Sequence, residues 1–308
     1  MYTIRLSYIF LQCKKNHILF MKIFELEIHR LKYAKFFKEI THHLQEKDVK
    51  KGRIIFTPNP EICLKTLEDE EFLHMLQKAH YLTSDGIGLY LGYQINDFFQ
   101  KSISSFKIQI FLKKAVAFFL LPYFIFNILF RKHMLYKRYG ARICGSDITE
   151  DLVYFCEAKG ICIAILDPYF PQDLKKCEAQ EHFSQNLKKV FPKLHFDHYV
   201  YSEKNADKIF EKIAHGKAKV LFSTLGMKRQ EASILHGLKK CPNIRLWLAV
   251  GSSFDYFTWF QKRAPSIFRK TGFEWLYRIF TSPNKLKRFG RIYQAVVVFP
   301  LTVILYHK

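Results

Sequence analysis

Short, almost unbroken apolar runs alternating with segments of helical period restrict this chain's fold more than any other feature. GICIAILD (160–167), AKVLFST (218–224) and IRLWLAVG (244–251) are largely apolar along their length, as strands covered on both faces must be. RIIFTPNP (53–60), HYLTSDG (80–86) and LHFDHYVY (194–201) read as further strands, and KIFELEI (22–28) as a short first one. Helical period fills the gaps at 33–45, 172–190, 204–216 and 230–240, and over 60–80 with apolar residues at 62, 64, 67, 72, 73 and 76. The alternation predicts an α/β fold, a Rossmann-like parallel sheet flanked by helices. Such a sheet binds its ligand at the C-terminal ends of its strands. That directs attention to Thr57-Pro58-Asn59, to Ser84-Asp85-Gly86, and to the residues after Thr224 and Gly251.

The stretch 98–141 interrupts the alternation. No acidic residue lies between Asp97 and Asp147, and AVAFFLLPYFIFNILF (115–130) is flanked by Lys113-Lys114 and Arg131-Lys132. As a helix those 16 residues reach about 24 Å, short of the ~30 Å hydrocarbon core, and Pro122 would kink them. A buried core helix, a spanning helix, and a helix or hairpin in the headgroup region all fit the run. The flanking cations favour the last, with apolar side chains in lipid and Lys and Arg on phosphates. The tail, 256–308, has ten Lys/Arg and one acid, Glu274, and ends in AVVVFPLTVILYHK. It reads as a basic, aromatic appendage near membrane and substrate, or as a last strand with a solvated basic face. Without repeats or a Ser/Pro/Gly linker, residues 22–255 form one expected α/β unit. Residues 1–21 are an extension of uncertain role, and Met21 resembles a more ordinary start.

The chain carries 49 Lys/Arg against 27 Asp/Glu, a formal charge of +22. Nucleic acid, an anionic membrane and phosphorylated substrates all suit that charge. The aromatics sit inside apolar runs instead of between cations, which disfavours a nucleic-acid surface. Seven Cys without a C-x-x-C suggest neither a disulfide framework nor a zinc site, but a reducing cytoplasm.

Gly86-Ile-Gly88-Leu-Tyr-Leu-Gly92 imitates a dinucleotide-binding loop, but the acid expected about twenty residues on is missing. Asp85, at a strand end facing the ligand edge, could act as a general base or could cap the next helix. Asn59 could open a helix or hydrogen-bond a sugar or the base carboxylate.

TPNPEI (57–62), SDGIG (84–88), RICGSDI (142–148), LGMKRQE (225–231), VGSSFDYF (250–257), KRAP (262–265) and FEWLYRIFTSPNKLKR (273–288) follow one another in order. Together they resemble the WecG/TagA/CpsF family of bacterial glycosyltransferases. By that resemblance Asp85 is the base that deprotonates the acceptor hydroxyl, and Thr57 and Asn59 line the same pocket. Arg142 and Gln230 bind substrate, and Arg278, Lys285 and Arg288 reach phosphates from a membrane-docked appendage. The family implies a UDP-sugar donor (N-acetylmannosamine, its uronic acid, or a hexose) and an undecaprenyl-diphosphate-linked acceptor. It also implies inversion, surface-polysaccharide synthesis, and a peripheral or monotopic place on the cytoplasmic face of the inner membrane. No cofactor or metal is expected; the chain has no D-x-D triplet, so Arg, Lys or helix N-termini must carry the diphosphate. Lys228, Arg229, Asp167, Ser252, Ser253 and Lys285 depart from the family's usual residues, and the insert separates two blocks usually joined by a short spacer. A non-catalytic scaffold of a polysaccharide-synthesis complex and a basic nucleic-acid-binding protein are the rival expectations.

Overall fold

The alternation is realised in the computed structural model, which describes residues 20–46, 51–101, 107–168, 180–258 and 285–307, with a few positions between 264 and 281. The first segment is a hairpin, β1 (Phe20–Ile23) and β2 (Leu26–His29), and not the single strand expected over 22–28. Ile23 pairs with Leu26, so Phe24 and Glu25 make the turn, with Phe24 at φ +52°. A bulky residue is uncommon there. Phe24 is held by burial, its ring edge-on to Phe299 and Tyr306 at 6.0 and 5.0 Å. No Gly or Asn marks this turn, so sequence pattern alone misses it.

Then come α1 (Tyr33–Gln45), β3 (Arg53–Phe56), α2 (Pro60–Lys65), α3 (Glu70–Gln77) and β4 (Tyr81–Leu82). The helical period over 60–80 is divided because Asp69 accepts from Phe72 N at 3.0 Å and opens a second helix. The chain continues through α4 (Leu89–Lys101), α5 (Lys107–Phe119), α6 (Leu121–Phe130), α7 (Lys132–Tyr139) and α8 (Gly145–Lys159). Next are β5 (Ile163–Pro168), α9 (Phe183–Val190), β6 (Phe196–Tyr201), α10 (Ala206–His215), β7 (Val220–Ser223), α11 (Arg229–Gly237) and β8 (Leu246–Ala249). The chain ends in α12 (Lys285–Tyr293), a π turn (Gln294–Val298) and α13 (Phe299–Tyr306). VVVFPLTVIL is thus helical, which removes the last-strand alternative; Pro300 follows the π turn, where the regular hydrogen-bond ladder is already interrupted and its missing N–H is accommodated.

Among the described residues the main sheet has six strands, all parallel, in the order β4-β3-β8-β7-β5-β6. Alternate residues face opposite layers. Ile54, Phe56, Leu166, Leu221 and Trp247 pack with the hairpin, α4, α11 and α13. Ile55, Ile163, Ile165, Phe222 and Leu248 pack with α1, α8 and α9 on the other face. The terminal helix belongs to this core: Phe299, Val303 and Ile304 are buried in it.

Candidate active site

Register sets the site. Phe56 lies level with Leu82 and Ala249, Ala249 with Ser223, and Ser223 with Leu166. The next residues, Thr57, Thr83, Val250, Thr224 and Asp167, therefore form one row along the C-terminal edge. Thr57 Oγ1 donates to Ala249 O over a long 3.4 Å. The N-terminus of α8 closes on the same place: a Cβ on Gly145 would lie 3.3 Å from Thr57 Oγ1 and 3.5 Å from Val250 Cα. That helix end brings partial positive charge to the cleft.

The loop 84–88 joins this row through Asp85 N, which donates to Pro58 O at 3.0 Å. Helix α4 begins at Leu89, so Asp85 stands too early to be its N-cap. Its carboxylate instead accepts from the Cys144 thiol and faces the charge of Arg142. Arg142 is mostly buried, with Nη2 3.9 Å from Asp147 Oδ2. Its pKa is raised, with Cys144 the largest influence, then Tyr136, Asp147 and Asp85. Burial also pushes the Cys144 thiol well up, so that thiol is neutral near neutrality and the carboxylates are the counter-charges that act. At the start of α7, burial and then Arg142 lower the pKa of Lys132, which puts a second cation beside this corner. Cys144 and Lys132 are site neighbours that the sequence did not single out, because neither spacing nor residue type marks them.

Asn59 does open a helix: its Oδ1 accepts from Ile62 N at 2.9 Å. A hydrogen bond from Asn59 to a ligand then falls mainly to Nδ2. Gln230, at the start of α11, is buried, and its Oε1 accepts from Gly251 N at 3.0 Å. Its Nε2 donates to Glu231 Oε1 at 2.9 Å. Gln230 thus fixes the loop after β8, where Gly251 takes φ +52°. Glu231 is 1% exposed, and its Oε2 has no partner among the described residues. Burial raises its pKa from 4.5 to about 7.

Glu231 should therefore weaken the fold as pH rises. Below 4.5 both folded and unfolded chains hold the proton; between 4.5 and about 7 only the folded chain does, so stability falls across that window. The loss levels off above it at about 3 kcal/mol. Glu231→Gln removes the titration. Its melting temperature should gain on wild type by about 5 °C or more from pH 5 to pH 8. A difference that does not change with pH would show that Glu231 does not titrate in this window.

Of the basic residues expected to reach phosphates, Arg278 and the Lys285 side chain lie outside the described residues. Arg288 lies in α12, which crosses the start of α2: Arg291 Nε is 3.4 Å from Glu61 Oε2. The glycines that imitate a dinucleotide loop serve this crossing. A Cβ on Gly88 would meet Pro60 Cγ at 2.8 Å and Ala295 O at 3.2 Å, and one on Gly92 would meet Phe299 at 3.0 Å. They admit the terminal helix against α4 and the 84–88 loop.

Three departures have structural roles. Asp167 Oδ1 accepts from Thr224 Oγ1 at 2.9 Å, and Oδ2 accepts from Gln180 Nε2 at 2.7 Å with His198 Nε2 at 3.4 Å. It braces two strand ends. Lys228 takes φ +69° and its Nζ reaches Asp69 and Glu71 at 2.7 and 3.1 Å. The family's usual proline, locked near −65°, could not follow that path. Ser253, where the family usually has glycine, is buried, and its hydroxyl donates to Val250 O at 2.5 Å. Among the described residues no three His, Cys, Asp or Glu side chains converge as a metal site.

A carboxylate, a buried guanidinium and a helix N-terminus on the C-terminal edge of a Rossmann-like sheet define the class: an α/β protein built to hold an anionic ligand next to a proton acceptor. The sequence pattern of the Glycosyl transferase WecG/TagA/CpsF family matches residues 21–109 and 127–307. The chain belongs to that family and is a glycosyltransferase. The match is interrupted between residues 109 and 127, inside the 98–141 stretch.

Proposed function

We propose that the protein moves a sugar from a UDP-sugar to an undecaprenyl-diphosphate-linked sugar, with inversion and without a metal, in surface-polysaccharide synthesis. N-acetylmannosamine, its uronic acid, or a hexose is the sugar. The single observation that carries this reading is the placement of Asp85. In a chain of this family, it sits on the ligand edge beside Thr57 and faces Arg142.

Asp85 takes the proton of the acceptor hydroxyl. The oxygen attacks the anomeric carbon in line while the bond to UDP breaks, and UDP leaves with the electron pair. Arg142, the α8 N-terminus and the basic residues Arg278, Lys285 and Arg288 offset the negative charge on the diphosphate. Thr57 and the Asn59 amide orient the sugar, and Gln230 holds the loop after β8 around it. The charge of +22 suits a donor, an acceptor and a bilayer that are all anionic. Membrane contact comes from the 98–141 insert and the 256–308 appendage, on the cytoplasmic face of a bacterial inner membrane.

A panel of UDP-sugars with a short-chain undecaprenyl-diphosphate GlcNAc analogue tests the reading, with and without EDTA. One donor should support transfer, at a rate EDTA leaves unchanged. Transfer abolished by EDTA and restored by a divalent cation would overturn the metal-independent step. No transfer from any donor by folded protein would favour the scaffold.

A further inference from the structure

The insert and the terminal helix meet in space. Lys114 Nζ, in α5, donates to Leu305 O in the last turn of α13 at 3.1 Å. The unmatched residues 110–126 make up most of a bent pair, Ile110–Phe119 and Leu121–Phe130, a helix that turns by 46° at its break. One side of this pair is core. Ala117, Phe124 and Ile128 are buried, and the buried Asn127 Nδ2 donates to Gln94 Oε1 at 2.9 Å. The other side is bare: Phe111 is 73% exposed and Phe119 79%, with Phe118, Tyr123, Phe126 and Phe130 also exposed. A contiguous aromatic patch of this kind on a protein surface marks a partner.

Geometry limits what the partner can be. Both arms pack on the same α/β unit, the first through Ala117 and Lys114 and the second through Phe124, Asn127 and Ile128, so the pair lies along the domain and does not cross a bilayer. The apolar helix Arg288–Tyr306 is long enough to cross, but both its ends are bound to the same α/β unit. Arg291 pairs with Glu61 at one end; at the other the Tyr306 hydroxyl donates to Glu25 at 2.7 Å and His307 bonds Asn96 at 2.9 Å. A spanning helix has its ends on opposite sides of the bilayer, so this one lies along the domain. Lys113, Lys114, Arg131 and Lys132 flank the bare aromatics.

We infer that the α5–α6 pair lies in the membrane plane as a shallow wedge whose bare aromatic face enters the headgroup side of one leaflet of an anionic bilayer, an anchor this chain adds to the family pattern, with the Arg288–Tyr306 helix lying beside it. It rests on the membrane-surface reading above and deepens it by fixing which residues enter lipid and how far. The wedge roots at Gln94, about 8 Å along α4 from Leu89 at the 84–88 loop. Anchoring there holds the mouth of the site at headgroup level, where a lipid-linked acceptor presents its sugar.

Deleting the insert would strip Phe124, Asn127 and Ile128 from the core, so the test uses the full chain with Phe111→Asp and Phe119→Asp together. Tyr154→Asp, exposed on α8, is the control. Vesicles of phosphatidylcholine with and without phosphatidylglycerol are the probes. Wild type and control should bind the anionic vesicles and stay partly bound in high salt, while the double variant binds at least tenfold more weakly, a difference of about 1.4 kcal/mol or more. Transfer to the water-soluble short-chain acceptor should be unchanged, which separates failure of the wedge from failure of the glycosyltransferase reading. Unchanged vesicle binding by the double variant would overturn the wedge. So would a dimer that the double variant dissociates without losing vesicle binding, since the patch would then face a second copy. Depth is read from Phe119→Trp with lipids brominated at graded acyl positions. Quenching strongest near the headgroup end supports the wedge, and quenching strongest at the bilayer centre overturns it in favour of a span.

Discussion

Replacing Asp85 with asparagine is expected to slow sugar transfer by about a thousandfold, within the 10²- to 10⁴-fold range of a lost general base. The substitution isolates the proton-accepting role because little else at the position changes. Asp85 N keeps its bond to Pro58 O, and an amide oxygen can still accept from the Cys144 thiol. What disappears is the charge that faces Arg142 and, on the proposed mechanism, the basic oxygen that takes the acceptor's proton. Turnover should therefore collapse while UDP-sugar affinity moves by only a few-fold, with Arg142 and the α8 N-terminus intact. Steady-state kinetics with a nucleotide-binding titration on the same protein checks this. A variant that keeps its turnover would remove Asp85 from the chemistry. A large loss of UDP-sugar affinity with turnover preserved would make it a binding group instead.

Sequence pattern carried the sheet well because the strands are covered on both faces. Ile163, Ala164, Ile165 and Leu166 are all buried, so the run is apolar without alternation and stands out from its neighbours. It failed where a single interaction overrides periodicity. The β1–β2 turn is set by where the Phe24 ring can be buried, on a helix 275 residues away in sequence at Phe299. The split of the 60–80 segment turns on a single cap at Asp69. The terminal VVVFPLTVIL is as good a strand as a helix by composition, and packing against α4 decides it.

The candidate site was legible in one dimension only. Motif order marked Thr57, Asn59, Asp85, Arg142 and Gln230, and strand register brings their segments to one edge. It could not show that Gln230 reaches the ligand side through Gly251 N, or that Glu231 fixes the orientation of its amide. Nor could it decide that the Asn59 carbonyl caps a helix. The glycine run at 86–92 was rejected as a cofactor loop for want of a partner acid, but what the glycines do required the terminal helix in place. Lys228 gives a further limit: its charge invites a phosphate, yet its ammonium is committed to Asp69 and Glu71.

Gly92 gives the sharpest test of how the terminal helix is coupled to the site. A Cβ there would sit 2.7 Å from Ile23 Cδ1 and 3.0 Å from two carbons of the fully buried Phe299 ring. Alanine asks Ile23 to change rotamer and Phe299 to give by a few tenths of an ångström, against a helix-propensity gain of about 1 kcal/mol. It should be close to neutral. Leucine has no such way out, and overpacking costs about 1–3 kcal/mol if the helix stays. If α13 leaves instead, Phe299, Val303 and Ile304 lose burial worth about 1.5–3 kcal/mol each. Detachment is local, because α13 is terminal and its loss leaves the six-stranded sheet intact. Overpacking that stays put would instead be felt by the whole core. Gly92→Leu should therefore speed amide exchange across 288–306 by tenfold or more, and lower transfer to the lipid-linked acceptor as α12, with Arg288 and the Arg291–Glu61 ion pair, leaves the start of α2. Gly290→Ala is the control, since nothing lies within 4 Å of its added Cβ. Fast exchange in 288–306 with full transfer would show that the site works without the terminal helix. Unchanged exchange in Gly92→Leu would show that Gly92 is not where this helix is held.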